Sequence, residues 1–414
     1  MDRAYGALGL VVLMALAWLL SEHRRRLDWR LVLAGVGLQL GVAFVLIKVP
    51  VINDAFLAAN VLVEVLEQAT AAGTTFAFGY LGGGPLPFEE PWPGAAFVFA
   101  LRALPLILVV SALSAVLFYW RVIPVVVNAF SFCLKKTMGV GGALGIGVSA
   151  NIFVGMVEAP LLVRPYLAQM TRSELFSLMC AGMATIAGTM LVVYASILGP
   201  VIPEALGHIL IASIVSAPAA ILLSRIMIPE TGEVTTGVIV PPQTATSTMD
   251  AAVKGTAQGV KLLINVVALL IVFVALAEMA NLLLALGPDA AGAPLTLQRL
   301  LGWLMAPLVW IIGVPWSEAV TAGALMGTKV VLNEFIAYLD MAALPEGALS
   351  EKSRVIMVYA MCGFANFGSV GIMVGGLSAM APDRRDEIVG LGLKSLVAGT
   401  LATLMTGAVV GMLY

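Results

Sequence analysis

Charged residues are scarce in this sequence, and so are histidine and cysteine. Only 11% of the 414 residues are Asp, Glu, Lys or Arg, against about 25% in a typical soluble domain, while 61% are hydrophobic. This composition excludes an ordinary soluble domain and predicts an all-α polytopic membrane protein. Because the formal net charge is only −2, we expect no nucleic-acid partner.

The few histidines and cysteines exclude further kinds of site. His23 and His208 are too few for a histidine-based metal centre, and neither is near the acidic residues discussed below. The cysteines Cys133, Cys180 and Cys362 lie in apolar segments, and their odd number without paired spacing gives no disulfide framework. A membrane-embedded enzyme would need a nucleophile or a metal set that this sequence lacks. We therefore predict no enzymatic activity and no cofactor.

The N-terminal region predicts how the chain is oriented. Residues 1–20 have no basic run before their apolar stretch, so we expect a first transmembrane helix rather than a cleavable signal peptide. The basic cluster at residues 23–26 follows that helix, and the positive-inside rule places it in the cytoplasm with the N-terminus outside. Residues 53–72 are less apolar and predict a helix lying along the membrane interface.

Residues 149–166 combine features that a plain transmembrane helix avoids. An acidic residue, Glu158, lies in an apolar setting, where it is costly and by default functional. Gly155 and Pro160 interrupt the helix, and irregular backbone at membrane depth persists only where it lines a cavity or is buried in protein. Basic residues flank both ends, so we predict a re-entrant hairpin that enters and leaves on the cytoplasmic side.

The same order of elements recurs later in the chain. Glu334 follows a second apolar segment that is interrupted by Gly and Pro. A helix broken by glycines comes after each glutamate, at residues 182–188 after Glu158 and at residues 363–369 after Glu334. Counting crossings makes the second hairpin open to the outside, so the repeats are inverted, which is typical of a secondary transporter with a midplane site. We predict an N-terminal scaffold at residues 1–134 and a first repeat at residues 135–228. A cytoplasmic loop with a scaffold helix follows at residues 229–296, and the second repeat occupies residues 297–414.

Five motifs carry a resemblance to a known family; they occupy residues 151–166, 182–188, 315–323, 333–338 and 362–367. Together they resemble the concentrative nucleoside transporters. The resemblance implies about eight transmembrane helices, an interfacial helix, two opposed re-entrant hairpins and two broken helices. It further implies a homotrimer in the bacterial inner membrane that imports nucleosides by alternating access, driven by a sodium or proton gradient.

The resemblance also assigns roles to residues. It places a base-binding group at Gly155, Met156, Val157, Glu158 and Met190. It implies that the ribose is held by Glu334, Asn366 and Ser369, with Phe364 nearby. Its sodium site maps to Asn151, Val154, Thr185 and Ile186. Many family members have a Gln-Thr pair where this chain has Met156 and Val157, so we expect an altered base preference, toward purines or broader acceptance.

Alternatives remain open for both residues and function. Glu158 and Glu334 also fit a structural role in helix packing, Asn366 an interhelical hydrogen bond, and Thr185 a bond to its own helix backbone. Sodium coupling is favoured over a proton-coupled nucleoside or nucleobase carrier, in which Glu158 or Glu334 would take up the proton. A channel would need a continuous polar stripe, whereas the polar residues concentrate at the hairpins and breaks.

Overall fold

The computed structural model describes residues 2–90, 95–237, 245–288 and 294–414, and these residues form helices, turns and loops without a β-strand. The α-helices, in chain order, are α1 (Asp2–Leu19), α2 (Trp29–Lys48), α3 (Pro50–Phe78), α4 (Phe99–Arg102), α5 (Leu106–Tyr119), α6 (Val122–Met138), α7 (Gly142–Asn151), α8 (Glu158–Leu161), α9 (Arg172–Ala184), α10 (Gly188–Leu198), α11 (Ala205–Met227), α12 (Thr248–Leu284), α13 (Leu297–Ile311), α14 (Trp316–Val331), α15 (Glu334–Ala342), α16 (Glu351–Met361), α17 (Phe367–Met380) and α18 (Arg385–Leu413). Residues 238–244, within the predicted cytoplasmic loop, and residues 91–94 and 289–293 lie outside the described residues.

The length and apolarity of these helices confirm a polytopic all-α membrane protein. Within the described ranges, six helical segments are long and apolar enough to cross a membrane, or seven if α13 and α14, which bend by 117° at their junction, count as one span. An apolar span of this kind needs about 20 residues to cross the hydrocarbon core. The predicted total of eight spans and the re-entrant nature of the two hairpins stay predictions.

The element order shows the internal repeat directly. The series α6 to α11 consists of one helix, two short helices around a break, two further helices around a second break, and a long final helix. The series α13 to α18 repeats that order. The breaks interrupt the hydrogen-bond ladder at residues 152–157 and 185–187 in the first series, and at 332–333 and 362–366 in the second. Each series therefore brings two interrupted helices into the bundle.

The helix α12 begins inside a polar stretch of the sequence. Residues 229–255 are polar and rich in threonine, a composition that predicts a cytoplasmic loop, and this prediction is wrong from Thr248 onward, where the helix starts. The Ser247 hydroxyl accepts a hydrogen bond of 3.1 Å from the Asp250 amide, a side-chain cap that starts a helix inside polar sequence. Gly255 lets the early part of α12 pack closely on α5, because an added Cβ would lie 2.6 Å from the Ser111 carbonyl oxygen.

Contacts with other parts of the chain hold the residues on both sides of the helix α3. Before it, Lys48 lies over the ring of Tyr414, at the end of α18. After it, the Tyr80 carbonyl accepts a 2.8 Å hydrogen bond from Arg102, which precedes α5. The placement of residues 53–72 along the membrane interface stays a prediction.

At the end of the bundle where α9 and α18 begin, Glu22, which follows α1, connects these three helices. Its carboxylate accepts hydrogen bonds from Arg172 at 2.9 Å and from Lys394 at 2.7 Å. The hydrogen bond from Arg172 is the main reason why the pKa of Glu22 falls from its ordinary 4.5 to about 2.

A carboxylate with a lowered pKa stabilises the fold above its unfolded pKa, and this stabilisation is lost as the pH falls through the folded value. We expect Glu22→Gln to lower the free energy of unfolding by about 1 kcal/mol near neutral pH, because all partners are partly exposed. The difference in melting temperature from the wild type should shrink by more than half near pH 3. Glu233→Gln, a control in an exposed loop, should show no such dependence on pH. If the melting-temperature difference of Glu22→Gln from wild type stayed constant with pH, the stabilising role of the Glu22 carboxylate would be contradicted.

Candidate functional site

Two helix breaks meet at the centre of the bundle. The Phe364 amide, in the break between α16 and α17, donates a 3.2 Å hydrogen bond to the Thr185 carbonyl, in the break between α9 and α10. Gly363 permits this approach, because an added Cβ would lie 2.9 Å from the Ala184 carbonyl oxygen. Backbone groups freed by one break are thus satisfied by the other, as membrane depth demands.

The turn between α7 and α8 is tied to the start of α10. The Gly188 amide donates to the Phe153 carbonyl at 3.1 Å, and an added Cβ at Gly188 would lie 2.3 Å from that same oxygen. Gly155 has a φ of +138°, and an added Cβ there would approach Glu158 Oε2 within 2.6 Å. Both positions therefore require glycine, and together they fix where Glu158 begins α8.

Glu334 is the most completely bonded carboxylate of the site. It is 4% exposed; its Oε1 accepts a 2.7 Å hydrogen bond from the Tyr194 hydroxyl, and its Oε2 accepts one of 2.9 Å from Asn366 Nδ2. The other side of the Asn366 amide caps α17, since Oδ1 accepts from the Ser369 amide at 2.7 Å. The positive N-terminal ends of α15 and α17 therefore meet at one carboxylate–amide pair.

Glu158 differs from Glu334 because its side chain is exposed to the cavity. The two residues before it are apolar and are held by glycines. An added Cβ at Gly182 would lie 3.0 Å from Met156 Cβ, and one at Gly376 would lie 3.1 Å from Val157 Cγ1. This side of the site thus offers a carboxylate exposed to the cavity beside an apolar wall.

These groups line a single large cavity of about 1490 Å³. It extends from Glu334 to Arg121 and Lys254, which are exposed at one end of the bundle. At the other end an aromatic cluster packs behind Glu334: the Phe335 ring lies 5.5 Å from Phe99 and 5.9 Å from Tyr194, and the Tyr194 ring lies 5.1 Å from Tyr338. The cavity is therefore accessible from the basic end.

The structure brings the predicted substrate-binding residues together. Each of them lines this cavity: Gly155, Met156, Val157, Glu158, Met190, Glu334, Phe364, Asn366 and Ser369. Of the predicted sodium ligands, Val154 also lines it, whereas Asn151, Thr185 and Ile186 lie buried behind it.

The buried group beside the cavity suits a hard cation. The Thr185 hydroxyl lies 3.3 Å from the Asn151 carbonyl oxygen and 2.9 Å from that of Ala181, so the ends of α7 and α9 meet there. Among the described residues, both polar atoms of the buried Asn151 amide lack a hydrogen-bond partner. Unpaired buried amides are rare, and a bound cation would satisfy the acceptor of this one, its Oδ1 oxygen. The residues present therefore fit the predicted sodium site.

The sequence interpretation missed Tyr194, and it gave no account of Lys329. Tyr194 lies in the apolar helix α10, and no local pattern links it to Glu334, which is 140 residues away in the chain. Lys329 is fully buried in α14 behind the cavity, and its ammonium donates a 3.3 Å hydrogen bond to Thr403.

Comparisons with known families cover most of the chain. The pattern described as Na+ dependent nucleoside transporter C-terminus matches residues 208–411, and the corresponding N-terminus pattern matches residues 8–81. A third pattern, described as nucleoside recognition, matches residues 100–201. The predicted site residues before position 202 thus fall within the third pattern and the later ones within the first.

Whole-length relatives show the same similarity. An uncharacterized transporter of Haemophilus influenzae is 38% identical, with 98% of this chain and 96% of the relative covered. The nucleoside permease NupC of Helicobacter pylori is 32% identical, with 99% and 97% covered. The structure of CNTnw in an inward-facing, substrate-bound state is 39% identical, with a TM-score of 0.91 over 100% of this chain and 98% of the other. A variant of CNTnw in an outward-facing state gives a TM-score of 0.92, at 39% identity over 100% and 97% of the two chains.

Proposed function

The chain belongs to the Na+-dependent nucleoside transporter family, and from this premise we propose that it is a secondary active transporter that imports nucleosides together with a cation by alternating access. It is a transporter rather than an enzyme. The observation that carries the proposal is the buried Glu334–Asn366 pair facing the cavity. A carboxylate that accepts from Tyr194 and Asn366 keeps lone pairs for two further donors. Two ribose hydroxyls supply such donors.

The polar groups divide between the two parts of a nucleoside. Glu334, Asn366 and Ser369 hold the ribose, beside the N-terminal ends of α15 and α17. Glu158 faces the base from the opposite wall, next to Met156 and Val157. A site built to hydrogen-bond hydroxyl groups rejects analogues that lack them, because its own polar groups are then left unpaired. This division favours nucleosides over free nucleobases.

The coupling cation is sodium in this proposal. Asn151, Val154, Thr185 and Ile186 would hold it, in part through the carbonyl ends of α7 and α9, where the negative ends of helix dipoles favour a cation. The Asn151 amide, which has no partner among the described residues, supports this assignment, since its oxygen can bind a metal ion while the amide does not titrate. The ion supplies positive charge that draws the two helix ends together. The second candidate is proton coupling through Glu158, whose carboxylate is exposed to the cavity.

The shape of the cavity supports an inward-facing state. The basic residues Arg121, Lys254 and Lys261 line its open end, and the positive-inside rule assigns basic ends to the cytoplasm. The aromatic cluster around Phe335 closes the opposite side. Alternating access then requires the hairpins and broken helices to move relative to a scaffold, so that the site opens on the aromatic side instead.

The remaining parts of the proposal concern the assembly. We place the chain in a bacterial inner membrane with its N-terminus outside, and we retain the predicted scaffold and repeat regions. We also retain the homotrimer, which the apolar outer face of α12 supports: only 6% of its most apolar window is buried within one chain. Such a face requires lipid or a neighbouring subunit.

Uptake competition with a panel of nucleosides and nucleobases in proteoliposomes tests this function and its base preference. Because Met156 and Val157 offer no hydrogen bonds to a pyrimidine edge, we expect adenosine and inosine to compete at least as well as uridine. The double variant Met156→Gln, Val157→Thr should favour uridine by about tenfold relative to wild type, the value of one or two hydrogen bonds. A strong preference of the wild type for uridine would contradict the base assignment, and no competition by any nucleoside would contradict the function.

A further inference from the structure

Lys329 is a buried cation that the proposed mechanism does not use. It lies in the last turn of α14 and is 0% exposed. Burying an ammonium group costs several kcal/mol unless other groups compensate its charge. Its hydrogen bond goes to a hydroxyl, that of Thr403 at 3.3 Å, and among the residues that the structure describes no ion pair forms with a carboxylate. The compensation therefore comes from other sources.

The ends of two helices supply that compensation. Lys329 lies at the C-terminal end of α14, where unsatisfied carbonyls carry negative partial charge. Thr403, its hydrogen-bond partner, packs against the break after α16, because an added Cβ at Gly363 would lie 2.8 Å from the Thr403 methyl carbon. Glu334, at the start of the next helix, adds attraction at longer range. The ammonium thus lies where α14 and α16 both end.

The first repeat has the same arrangement without a lysine. In element order α7 corresponds to α14, and α9 corresponds to α16. The C-terminal ends of α7 and α9 meet where the Thr185 hydroxyl lies 3.3 Å from the Asn151 carbonyl. There the buried Asn151 amide lacks a partner among the described residues, and the proposed function places a bound cation. Each repeat therefore joins two negative helix ends at one point.

We propose that the Lys329 ammonium is the built-in cation of the second repeat, and that it holds the ends of α14 and α16 together as a bound cation holds those of α7 and α9. It is a positioning residue, since it lies behind Glu334 and the α16–α17 break without lining the cavity. The second repeat then needs no bound cation of its own, and one bound cation per chain is enough. This last consequence rests on the proposed function, whereas the electrostatic role does not.

Chemical rescue tests the electrostatic role without any transport assay. Lys329→Ala removes a propylammonium group, so added n-propylammonium can refill the space with charge and 1-propanol can refill it without charge. We expect the melting temperature of Lys329→Ala in detergent to be lower than that of wild type, and to rise with n-propylammonium but not with 1-propanol. The melting temperatures of wild type and of Lys135→Ala, which removes an exposed lysine, should not rise with n-propylammonium. Equal effects of the amine and the alcohol on Lys329→Ala, or equal effects of the amine on all three proteins, would overturn the proposal.

The sodium dependence of nucleoside binding, measured by titration calorimetry, tests the consequence. In Lys329→Ala, the Hill coefficient for sodium should rise from about one toward two, and nucleoside affinity at fixed sodium should fall by about tenfold, with Lys329→Arg close to wild type. An unchanged Hill coefficient and affinity in Lys329→Ala would overturn the consequence. If wild type binds no nucleoside, the proposed function fails, and the rescue experiment still decides the role of Lys329.

Discussion

Replacing Glu334 by Gln is expected to reduce nucleoside uptake in proteoliposomes by about 100-fold, the equivalent of about 3 kcal/mol for charge-assisted hydrogen bonds lost in a buried site. The Glu334 carboxylate accepts from Tyr194 and Asn366 at the same time. A glutamine amide has one oxygen only, so its NH2 group must face one of these donors or the ribose. Opposite Asn366 the NH2 group places two donors against each other; opposite Tyr194 or the ribose it forces a hydroxyl to accept and removes a charged acceptor.

Two further variants separate this effect from general damage. Tyr194→Phe removes one hydrogen bond and keeps the charge, so a loss of about tenfold is expected. Glu318→Gln is the matched control, because Glu318 belongs to α14 but bonds Ser350 outside the cavity. Its uptake should stay within about twofold of wild type. Wild-type uptake by Glu334→Gln would remove the ribose-holding role.

Gly188→Ala is expected to abolish transport and to destabilise the protein by about 2–4 kcal/mol. The added Cβ would lie 2.3 Å from the Phe153 carbonyl oxygen, a backbone atom that already accepts a hydrogen bond from the Gly188 amide. To make room, the turn between α7 and α8 must separate from α10, which displaces Glu158 and the Asn151 end of α7 together. Uptake and melting temperature should both fall.

The control for this variant has the opposite expected sign. At Gly371, inside α17, an added Cβ meets nothing within 4 Å. Gly371→Ala should therefore stabilise the protein by about 0.5–1 kcal/mol, because alanine favours the helical backbone more than glycine does. If Gly188→Ala and Gly371→Ala behaved alike in uptake and melting temperature, the contact between the turn and α10 would have no role.

The breaks and the paired acidic residues could be predicted from sequence because their signals are local. Glycines at residues 182–188 interrupt an apolar run, and the structure ends α9 at Ala184 and begins α10 at Gly188. An acidic residue in apolar sequence is conspicuous for the same reason. Glu334 and Asn366 are brought together by the fold, and the family resemblance predicted that pair because its motifs cover both positions.

The rest depended on contacts between distant parts of the chain. Tyr194 and Lys329 each lie in helical, largely apolar sequence, where neither periodicity nor spacing indicates a partner. Their partners, Glu334 and Thr403, are 140 and 74 residues away in the chain. The early start of α12 depends on a single serine cap. Composition alone does not reveal this cap, because the polar, threonine-rich stretch around it favours a loop. The orientation of the helices relative to each other decided the first two, whereas a local cap decided the third.

Concentrative uptake is the most direct measurement of the central claim, that this site couples a nucleoside to a cation. Proteoliposomes would be given adenosine or adenine, with an inward sodium gradient or with sodium replaced by choline, at constant pH on both sides. The account predicts that adenosine accumulates above its external concentration only with the sodium gradient, and that adenine does not accumulate. Accumulation of adenine, or accumulation of adenosine that is the same with choline as with the sodium gradient, would contradict it.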